Sequence, residues 1–574
     1  MRARRILSRP LTTDPDRLPP GMPAVLKRVY AARAIESSGD LDYSLDRLLP
    51  PDRLGGLEQA VELLAEAVEA DWRMVVVGDF DADGATSCAL CLRALRGMGA
   101  AQVDYLVPNR FEYGYGLTPE IVAVAATRQP DLLITVDNGI SSLAGVAAAR
   151  ERGIRVLITD HHLPGEKLPP ANAIVNPSLY GEGFPGRHLA GVGVAFYVML
   201  ALRAGLRARG WFARRGLSEP NLGQLLDLVA LGTVADVVPL DRNNRLLVQQ
   251  GLQRIRAGRC LPGIRALLEV GGRVPARTVS TDLGFVIGPR LNAAGRLEDM
   301  SLGIECLLTN HEAGARAMAA RLDALNRDRK DIEADMQAQA LAIIESLLPD
   351  TREPPAGFCL FDSHWHQGVI GILAARIKDR FHRPVIAFAR AGKGELKGSA
   401  RSIAGLHIRD ILDAIASRHP ELLSHFGGHA MAAGLALAEA HLPAFEAAFI
   451  AEVSRVLSVE DLQDVIYTDG TLSEEELSLA TAKLLREAGP WGQGFPAPQF
   501  EGRFALLEQR VVGERHLKMV LRPAGGSRRL EAIAFNSGVH TTPGGQVRLV
   551  YRLDVNEYRG VENAQLVVEH IESG

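Results

Sequence analysis

Six aspartates and two histidines follow apolar runs in the first half of the chain. The runs are VVVGDFDADG (75–84), LLITVDNG (132–139), VLITDHH (156–162) and LVALGTVADVVPL (228–240). Carboxylates are costly to gather in one place because like charges repel at short range, and bound cations remove that cost. Oxygen and imidazole ligands suit magnesium or manganese, and a pair of such ions suits phosphoryl transfer. The pattern therefore predicts a site for two divalent cations, Mg²⁺ or Mn²⁺.

The residues of this group receive separate predictions. We expect the neutral imidazole of His161 to bind a metal and His162 to lie against the substrate phosphate. Asp160 is expected to orient the two histidines without touching the metal itself, and Asp137 is expected to bridge both ions. The alternative for each residue is a helix cap or a hydrogen-bonded turn. The predicted metal ligands are Asp79, Asp81, Asp83, Asp137, His161 and Asp236. The predicted catalytic residues are Asp81, Asp83, Asp137, His161 and His162.

The elements that position these residues alternate between strand and helix patterns. RMVVVGD, QVDYLVP, DLLITVD and IRVLITD are short apolar runs, and helical patterns separate them. Nearly continuous apolar strands between helices indicate a parallel sheet that is covered on both faces. Open α/β sheets bind ligands at the carboxyl ends of their strands, where these acidic residues stand. Position and composition thus predict the same site.

The rest of the chain predicts further domains. Residues 190–300 are mostly helical, and residues 312–349 form one long polar helix that connects two lobes. A second α/β unit covers about 356–455, and short alternating strands over about 460–574 suit a small barrel of the OB kind. The predicted fold class is α/β, with a parallel-sheet catalytic domain, a connecting helix, a second α/β domain and an OB-like β-barrel. The predicted boundaries are 1–55 for an N-terminal extension around the first domain, 56–300 for the catalytic domain, 301–352 for the connector, 353–457 for the second α/β domain and 458–574 for the barrel.

The bulk composition restricts the possible partners. The formal net charge is −4, so nucleic-acid binding must come from local basic surface. The five cysteines form no disulfide ladder, and the pair Cys88 and Cys91 is expected in the core. No apolar stretch approaches the ~20 residues that span a bilayer. We therefore expect a soluble cytoplasmic protein without membrane contact.

Four motifs resemble those of the DHH phosphoesterases: GDFDADGATS, VDNGIS, TDHH and GTVADVVPL. Three flanking segments, PNRFEYGYGL (108–117), LAGVGVAFY (189–197) and GPRLNAAGRL (288–297), are similar to the single-strand-specific DNA exonucleases of bacteria within that family. FGGHAMAAG (426–434) is similar to the glycine-rich motif of the DHHA1-type domain that accompanies them. The resemblance extends from about residue 20 to the C-terminus.

This resemblance implies an activity. Such enzymes degrade single-stranded DNA from the 5′ end and release 5′-mononucleotides, with magnesium or manganese. The strand lies in a groove between the two lobes, and the OB domain holds it upstream. The enzymes serve DNA recombination and repair beside a helicase and the single-strand-binding protein. We expect the chain itself to be a monomer.

Several residues are expected to hold the strand. A guanidinium offers a fork of donors that matches phosphate oxygens, and nearby glycines let backbone N–H groups approach an anion. One of Arg110 or Arg290 is expected to contact the terminal 5′-phosphate. The alternative for any of these arginines is an ion pair within the protein. Trp491, Phe535, Tyr551 and Tyr558 are candidates for base stacking or for barrel core. The predicted substrate-binding residues are Arg110, Arg290, Asn292, Arg296, Ser399, Arg401 and His429.

Two alternative functions remain open at this point. The first is the same chemistry on short oligonucleotides or cyclic dinucleotides, which would not need an extended binding track. The second is a non-catalytic scaffold that binds single strands, which would be expected to have lost metal ligands. Here every expected acid and histidine is present.

Overall fold

The computed structural model describes residues 4–108, 116–179, 183–347, 354–392, 394–458, 460–513, 516–537, 544–558 and 560–573. The chain divides into two compact units. The larger unit consists of Ser8–Asp323 and Tyr467–Gly574, and the smaller consists of Met1–Leu7 and Ala324–Ile466. The first sheet and the barrel belong to the larger unit, and the second sheet belongs to the smaller.

The first sheet has five strands, and each strand runs parallel to its neighbours. Its three central strands are apolar and almost wholly buried, because helices cover both faces. This confirms the predicted parallel sheet. In spatial order the strands are Val103–Leu106, Met74–Val77, Leu132–Val136, Arg155–Thr159 and Ala173–Val175. The helices that precede and connect them are Leu57–Glu69, Ala82–Gly97, Pro119–Ala126 and Leu143–Glu151.

Helices fill the chain between the first sheet and the connector, as predicted. The apolar run at 228–240 is helix Leu226–Ala235 and not a strand, so Asp236 stands at the end of a helix. This helix is buried on all sides between Ala82–Gly97 and Arg242–Arg256, which explains why its sequence shows no polar face. The helices of this region are Gly191–Ala208, Trp211–Arg215, Leu226–Ala235, Arg242–Arg256, Pro262–Val270, Ser280–Asp282, Gly288–Leu297 and Ser301–Leu308, with a π-helical turn at Leu283–Ile287.

Among the described helices, Gly191–Ala208 is the one with the length and hydropathy of a membrane span. Its sequence, GVGVAFYVMLALRAGLRA, is 61% buried within the fold. It packs against Leu57–Glu69, Ala82–Gly97 and Leu226–Ala235. Burial of this kind is that of a core helix.

The N-terminal extension contacts the C-terminal part of the larger unit as well as its helical region. Helix Ala24–Ala31 is followed by Arg33, whose guanidinium lies 2.7 Å from Asp469 in a fully buried ion pair. The same guanidinium lies 5.4 Å from the ring centroid of Trp491, and the Tyr30 hydroxyl donates to the carbonyl of Ala488. The extension was predicted to wrap the outside of the first domain; these contacts also join it to the segment before the barrel.

The long connector is helix Glu312–Leu347, with 36 residues. It was predicted over 312–349, and residues 348 and 349 lie outside the described part of the chain. Its apolar side chains Leu322, Leu325 and Met336 are buried. The helix begins in the larger unit and ends in the smaller one.

The second sheet is mixed. Four of its strands pair antiparallel, and the last pair at one edge is parallel. In spatial order the strands are His425–Gly428, Ala432–Ala438, Glu395–Arg401, Val385–Gly392 and Phe358–Phe361. The helices of this unit are Ile370–Phe381, Ile408–Arg418 and Leu442–Val456. A separate two-stranded sheet pairs Arg5–Ser8 with Val465–Thr468.

The C-terminal strands form a closed barrel, which confirms the predicted OB-like domain. Phe500, Phe504 and Tyr551 fill its interior. Trp491 is also buried, and its ring stacks on Phe495 at 5.1 Å between centroids. Of the two alternatives for Trp491 and Tyr551, base stacking or core, the structure therefore favours the core. Helix Leu479–Glu487 precedes the barrel strands Phe500–Val512, His516–Pro523, Leu530–Ala534, Gln546–Tyr558 and Val561–Ser573.

Candidate metal centre

The segment GDFDADG turns from a strand into a helix. The strand ends at Val77, and helix Ala82–Gly97 begins after the cap residue Asp81. The Asp81 carboxylate accepts the N–H groups of Asp83 and Gly84 at 2.9 and 3.0 Å. Since a helix N-terminus carries partial positive charge, it stabilises the carboxylates gathered there. Local structure thus holds this part of the site.

Asp83 lies in the first turn of helix Ala82–Gly97, and its carboxylate points to the N-terminus of a second helix. Its carboxylate is buried, and it accepts the N–H groups of Gly191 and Val192 at 2.6 and 3.0 Å. These two residues begin helix Gly191–Ala208. The contact fixes the orientation of the Asp83 carboxylate through backbone donors on a separate element.

Asp137 follows the central strand Leu132–Val136 in a left-handed backbone conformation, with φ of 62°. That conformation costs a residue other than glycine on the order of 1–3 kcal/mol, and such strain is concentrated at functional sites. Gly191 passes so close that a Cβ atom there would lie 2.6 Å from the Cβ of Asp137. The neighbouring Asn138 amide donates to the carbonyls of Val77 and Val136 at 3.0 and 2.9 Å, and so fixes the turn.

Asp160 organises the DHH turn. One oxygen of its carboxylate accepts the N–H groups of His161 and His162 at 2.7 and 3.1 Å, and it lies 2.8 Å from Nδ1 of His162. The other oxygen accepts the N–H of Ile140 at 2.9 Å. Asp160 therefore sets the position of both histidines.

The side chains converge on one acidic pocket, which we define as Asp79, Asp81, Asp83, Asp137, His161 and Asp236. Nε2 of His161 lies 3.1 Å from the Asp137 carboxylate and 3.6 Å from that of Asp236. Within three groups of three residues, possible ligand atoms lie within 4.8 Å of one another. The groups are Asp79, Asp81 and Asp137; Asp83, His161 and Asp236; and Asp137, His161 and His162.

The negative charges of the carboxylates in this pocket repel one another. Burial, and then the charge of Asp236, raise the pKa of Asp83 to about 7. Burial and the charge of Asp81 raise the pKa of Asp236 to about 7. The pKa of Asp137 is raised well above its ordinary value by burial and by Asp83. Each carboxylate thus makes ionisation of the next one costlier, and a cation would relieve that cost.

The two histidines differ in charge. Burial and the neighbouring His162 lower the pKa of His161, which favours the neutral imidazole that a metal binds. Burial opposes the charge of His162, but the hydrogen bond and charge of Asp160, together with the charges of Asp236 and Asp79, outweigh burial and raise the pKa of His162 to about 9. These neighbours thus favour the charged form of His162.

The donor set fits a pair of divalent cations. Within the described residues, no hydrogen bond reaches the buried atoms Nε2 of His161 and Oδ2 of Asp236. Carboxylate oxygens with one or two imidazoles are ligands that Mg²⁺ and Mn²⁺ accept. Asp137 and His161 each belong to two of the three groups, so the groups overlap as neighbouring metal sites would.

Three family models match the chain in succession. The DHH family N-terminal domain matches residues 73–233, the DHHA1 domain matches 355–455 and the RecJ OB domain matches 468–570. The single-stranded-DNA-specific exonuclease RecJ of Dickeya dadantii is 58% identical over 557 residues, which cover 96% of this chain and 97% of that protein. The chain belongs to the RecJ family. This confirms the resemblance that the motifs indicate.

Solved RecJ structures agree with this assignment. RecJ from Thermus thermophilus in complex with Mn²⁺ matches 99% of this chain and 79% of that one, with a TM-score of 0.78 and 32% identity. The complex of the same protein with Mg²⁺ gives a TM-score of 0.74 at 30% identity and covers 99% of this chain and 78% of that one. The fold of a RecJ protein that holds these metals is thus the fold of this chain.

Two predicted substrate ligands in the larger unit of this RecJ-family chain make internal contacts. The Arg290 guanidinium pairs with Asp323 at 2.8 Å, donates to the carbonyl of Val286 at 2.7 Å and is mostly buried. Asn292 accepts the N–H of Ala82 at 2.7 Å, so it holds the start of the helix that carries Asp83. The ion pair of Arg290 is the alternative considered for these arginines, whereas the contact of Asn292 with Ala82 was not predicted. Arg296 is half-buried in the last turn of its helix, and Arg110 lies outside the described residues.

The structure brings three predicted ligands of the smaller unit together. We call Ser399, Arg401 and His429 the second-sheet corner. The Arg401 guanidinium donates to the Ser399 hydroxyl at 3.1 Å and to the carbonyl of Ala400 at 2.8 Å. Arg401 pairs in register with Ala432, whose carbonyl accepts the N–H of the exposed His429 at 2.8 Å. A Cβ atom at Gly371, in the first turn of helix Ile370–Phe381, would lie 2.8 Å from the guanidinium of Arg401.

Sequence reasoning missed the backbone contacts of the site. Gly191 donates to Asp83 and leaves room for Asp137, and Asn138 fixes the turn around Asp137. A weak signal was present, because LAGVGVAFY places two glycines at the start of an apolar helix. A glycine where an ordinary helix former would serve marks a close approach.

Proposed function

We propose that this chain is a single-stranded-DNA-specific exonuclease that hydrolyses phosphodiester bonds in the 5′-to-3′ direction with two divalent cations, Mg²⁺ or Mn²⁺. The observation that carries the proposal is the overlap of three possible ligand groups at Asp137 and His161, in a chain of the RecJ family. The name of the RecJ relatives supports the substrate. The direction and the release of 5′-mononucleotides rest on the family resemblance.

Each residue of the pocket has a role in this proposal. A bound pair of divalent cations supplies Lewis acidity and positive charge for phosphodiester hydrolysis. The residues that would hold the cations are Asp79, Asp81, Asp83, Asp137, His161 and Asp236, and Asp137 would face both. His162, positioned by Asp160, would donate a hydrogen bond to a phosphate oxygen.

The proposed strand contacts fall into two groups. Ser399 and Arg401 offer a hydroxyl and a guanidinium near the positive end of helix Ile370–Phe381, and the exposed His429 adds an imidazole to the group; such donors suit phosphate. In the larger unit we propose Arg110, Arg290, Asn292 and Arg296. The ion pair of Arg290 with Asp323 supports Arg110 as the better candidate for the terminal 5′-phosphate.

The wider role is proposed from the family. The matched RecJ OB domain supports binding to single-stranded DNA. We propose that the chain acts in DNA recombination and repair in the cytoplasm, as a monomer, beside a single-strand-binding protein and a helicase. We also propose that its functional segments are 1–55, 56–300, 301–352, 353–457 and 458–574.

Digestion of end-labelled single strands tests the proposal directly. A strand labelled at its 5′ end should release labelled mononucleotide at once with Mn²⁺ or Mg²⁺, whereas a 3′ label should appear only in progressively shorter strands. Chelation of the metal should stop both reactions. A fully paired duplex of the same sequence is the control. Cleavage without divalent cation, or release that starts at the 3′ label, would refute the proposal.

Two other functions are less well supported. A phosphoesterase for short oligonucleotides or cyclic dinucleotides has no need of the closed C-terminal barrel. It would cleave a two-nucleotide strand as fast as a long one. A non-catalytic scaffold has no need of a complete donor set. Calorimetric titration with Mn²⁺ separates the scaffold, because it would bind no metal.

A further inference from the structure

One exposed aromatic side chain lies on a turn that packs against the helix ending before Asp236. Phe285 is 80% exposed. It lies in the π-helical turn Leu283–Ile287, whose residues Leu283, Val286 and Ile287 are buried. The ring therefore points away from the side of the turn that packs on the protein. Among the exposed large hydrophobic side chains of the described residues, Phe285 has the largest exposed fraction, above those of Tyr558 at 65% and Phe535 at 55%.

The turn lies directly against the end of the helix that presents Asp236. A Cβ atom at Gly284 would lie 3.2 Å from a methyl of Val234, and one at Gly288 would lie 3.3 Å from Cβ of Ala235. Asp236 is the next residue, and its carboxylate lies 3.6 Å from His161. Phe285 is thus carried on an element that contacts the last turn before a pocket carboxylate. π-Helical turns of this kind occur frequently at functional sites.

A second exposed apolar side chain follows the helix end that the turn contacts. Val237 follows Asp236 and is 61% exposed. Its φ of 66° is an outlier for a β-branched residue. Hydrophobic side chains thus occur on both elements that meet at this side of the acidic pocket. A nucleobase beside a phosphate would meet such a surface.

We propose that Phe285 is a positioning residue that stacks on a nucleobase of the bound strand next to the phosphodiester at the acidic pocket. This inference rests on the proposed function. Stacking on an aromatic ring accepts every base, because each base has a π face. That tolerance suits an exonuclease that removes nucleotides irrespective of sequence. Val237 adds apolar contact beside the stacked base.

Steady-state kinetics of Phe285→Ala and Phe285→Trp test the proposal. Loss of one stack should raise the KM for a single strand about fivefold to 150-fold, which corresponds to about 1–3 kcal/mol. Phe285→Trp should stay near the wild type because it keeps a π face. Leu11→Ala is the matched control, since Leu11 is 52% exposed and lies in the N-terminal extension. The melting temperature should be unchanged in all three, whereas a structural role for Phe285 would lower it in the alanine variant.

An abasic substrate shows whether the ring acts on a base. We would place a single abasic site at each of the first positions from the 5′ end. At the stacked position the abasic strand should abolish the difference between wild type and Phe285→Ala. A difference that persists at every position would overturn the proposal and indicate a surface for a partner protein.

A binding measurement without turnover gives a second readout. Strands with 2-aminopurine at the same positions, mixed with protein in chelator, should lose fluorescence at one position in the wild type and not in Phe285→Ala. Equal quenching in both proteins would refute the stack. Cleavage by the wild type with Mn²⁺ is the reference. If the wild type cleaves and Phe285→Ala has the same KM and the same quenching as the wild type, only this inference fails. If the wild type never cleaves, the proposed function itself fails.

Discussion

The acidic pocket and the second-sheet corner both collect polar side chains at or near the ends of strands, but these side chains are held by different contacts. In the pocket, the carboxylates of Asp81 and Asp83 are fixed by backbone N–H groups from their own turn or from another helix. At the corner, the half-buried Arg401 reaches back to a hydroxyl and a carbonyl of its own strand. The pocket carboxylates are thus fixed by backbone donors, whereas the Arg401 side chain is held by a hydroxyl and a carbonyl of its own strand.

This difference follows from what each region is proposed to bind. Metal ligands must keep their positions closely, and the strained Asp137 backbone and the contact with Gly191 show such restriction. A contact to a phosphate backbone depends mainly on charge and requires a less exact geometry than a metal ligand does. A long flexible side chain can therefore make it. We therefore expect changes in the pocket to reduce turnover and changes at the corner to reduce affinity.

The largest effect is expected for Asp137→Ala. Asp137 belongs to two of the three ligand groups, so its loss should lower kcat on the order of 10³-fold or more, as expected for a major electrostatic contact in an active site. Binding of a single strand in chelator should change little. Turnover and fluorescence anisotropy are the two measurements, and Asp104→Ala, an exposed acid on an edge strand, is the control. Near-normal turnover with Mn²⁺ would contradict the metal assignment.

Gly191→Ala tests whether backbone geometry matters in the pocket. The new methyl would meet the Asp137 side chain and backbone at 2.6 and 2.9 Å, so one of them must shift. A displacement of about 1 Å can cost about 10²-fold in rate.

Gly193→Ala is the matched control for this variant. It lies on the same helix, and its methyl would meet only the end of the Leu189 side chain, at 3.0 Å. Stopped-flow cleavage and a melting curve should be measured for both variants. Equal rates in the two would show that the pocket tolerates movement and would remove the contrast with the corner.

The residues of the acidic pocket could be predicted from the sequence because most of them follow apolar strands. Apolar runs that end in aspartate mark strand ends, and parallel topology brings strand ends together, so the residues of the pocket were predictable. The run 228–240 was ambiguous because a continuous apolar segment fits a buried helix as well as a strand. Asp236 nevertheless reaches the pocket, from a helix end.

Ion pairs were not predictable from the local sequence. Arg290 pairs with Asp323, 33 positions away, and Arg33 pairs with Asp469, 436 positions away. No local sequence pattern distinguishes an arginine that pairs with a distant carboxylate from one that binds a phosphate. Arginine assignments in a phosphate track therefore need the tertiary structure, whereas carboxylates after strands need little more than the topology.

Asp160→Asn should have an intermediate effect. The amide keeps the size of the side chain but loses the charge that holds both histidines. Changes to residues that orient metal ligands typically cost about 10–100-fold in metal affinity or activity. Calorimetry with Mn²⁺ measures the affinity, and Asp131→Asn, which alters an exposed aspartate at the opposite end of a strand in the same sheet, is the control. An unchanged affinity would mean that Asp160 serves the fold alone.

The smallest effect is expected for Arg401→Ala, and it should differ in kind from the others. Loss of one phosphate contact should weaken strand binding about equally for all sequences and reduce the salt dependence of the binding constant by about one ion. With saturating strand, kcat should stay close to the wild type, because Arg401 is not part of the acidic pocket.

Arg390→Ala is the control for the corner. Arg390 lies on the neighbouring strand Val385–Gly392 and is already paired with Glu439 at 2.8 Å, so its removal should leave the salt slope unchanged. Anisotropy titrations over a series of salt concentrations give the slopes. A fall in kcat for Arg401→Ala as large as that for Asp137→Ala, with the slope unaltered, would mean that the corner acts in catalysis. The distinction between a pocket that acts in turnover and a corner that contributes only to affinity would then be wrong.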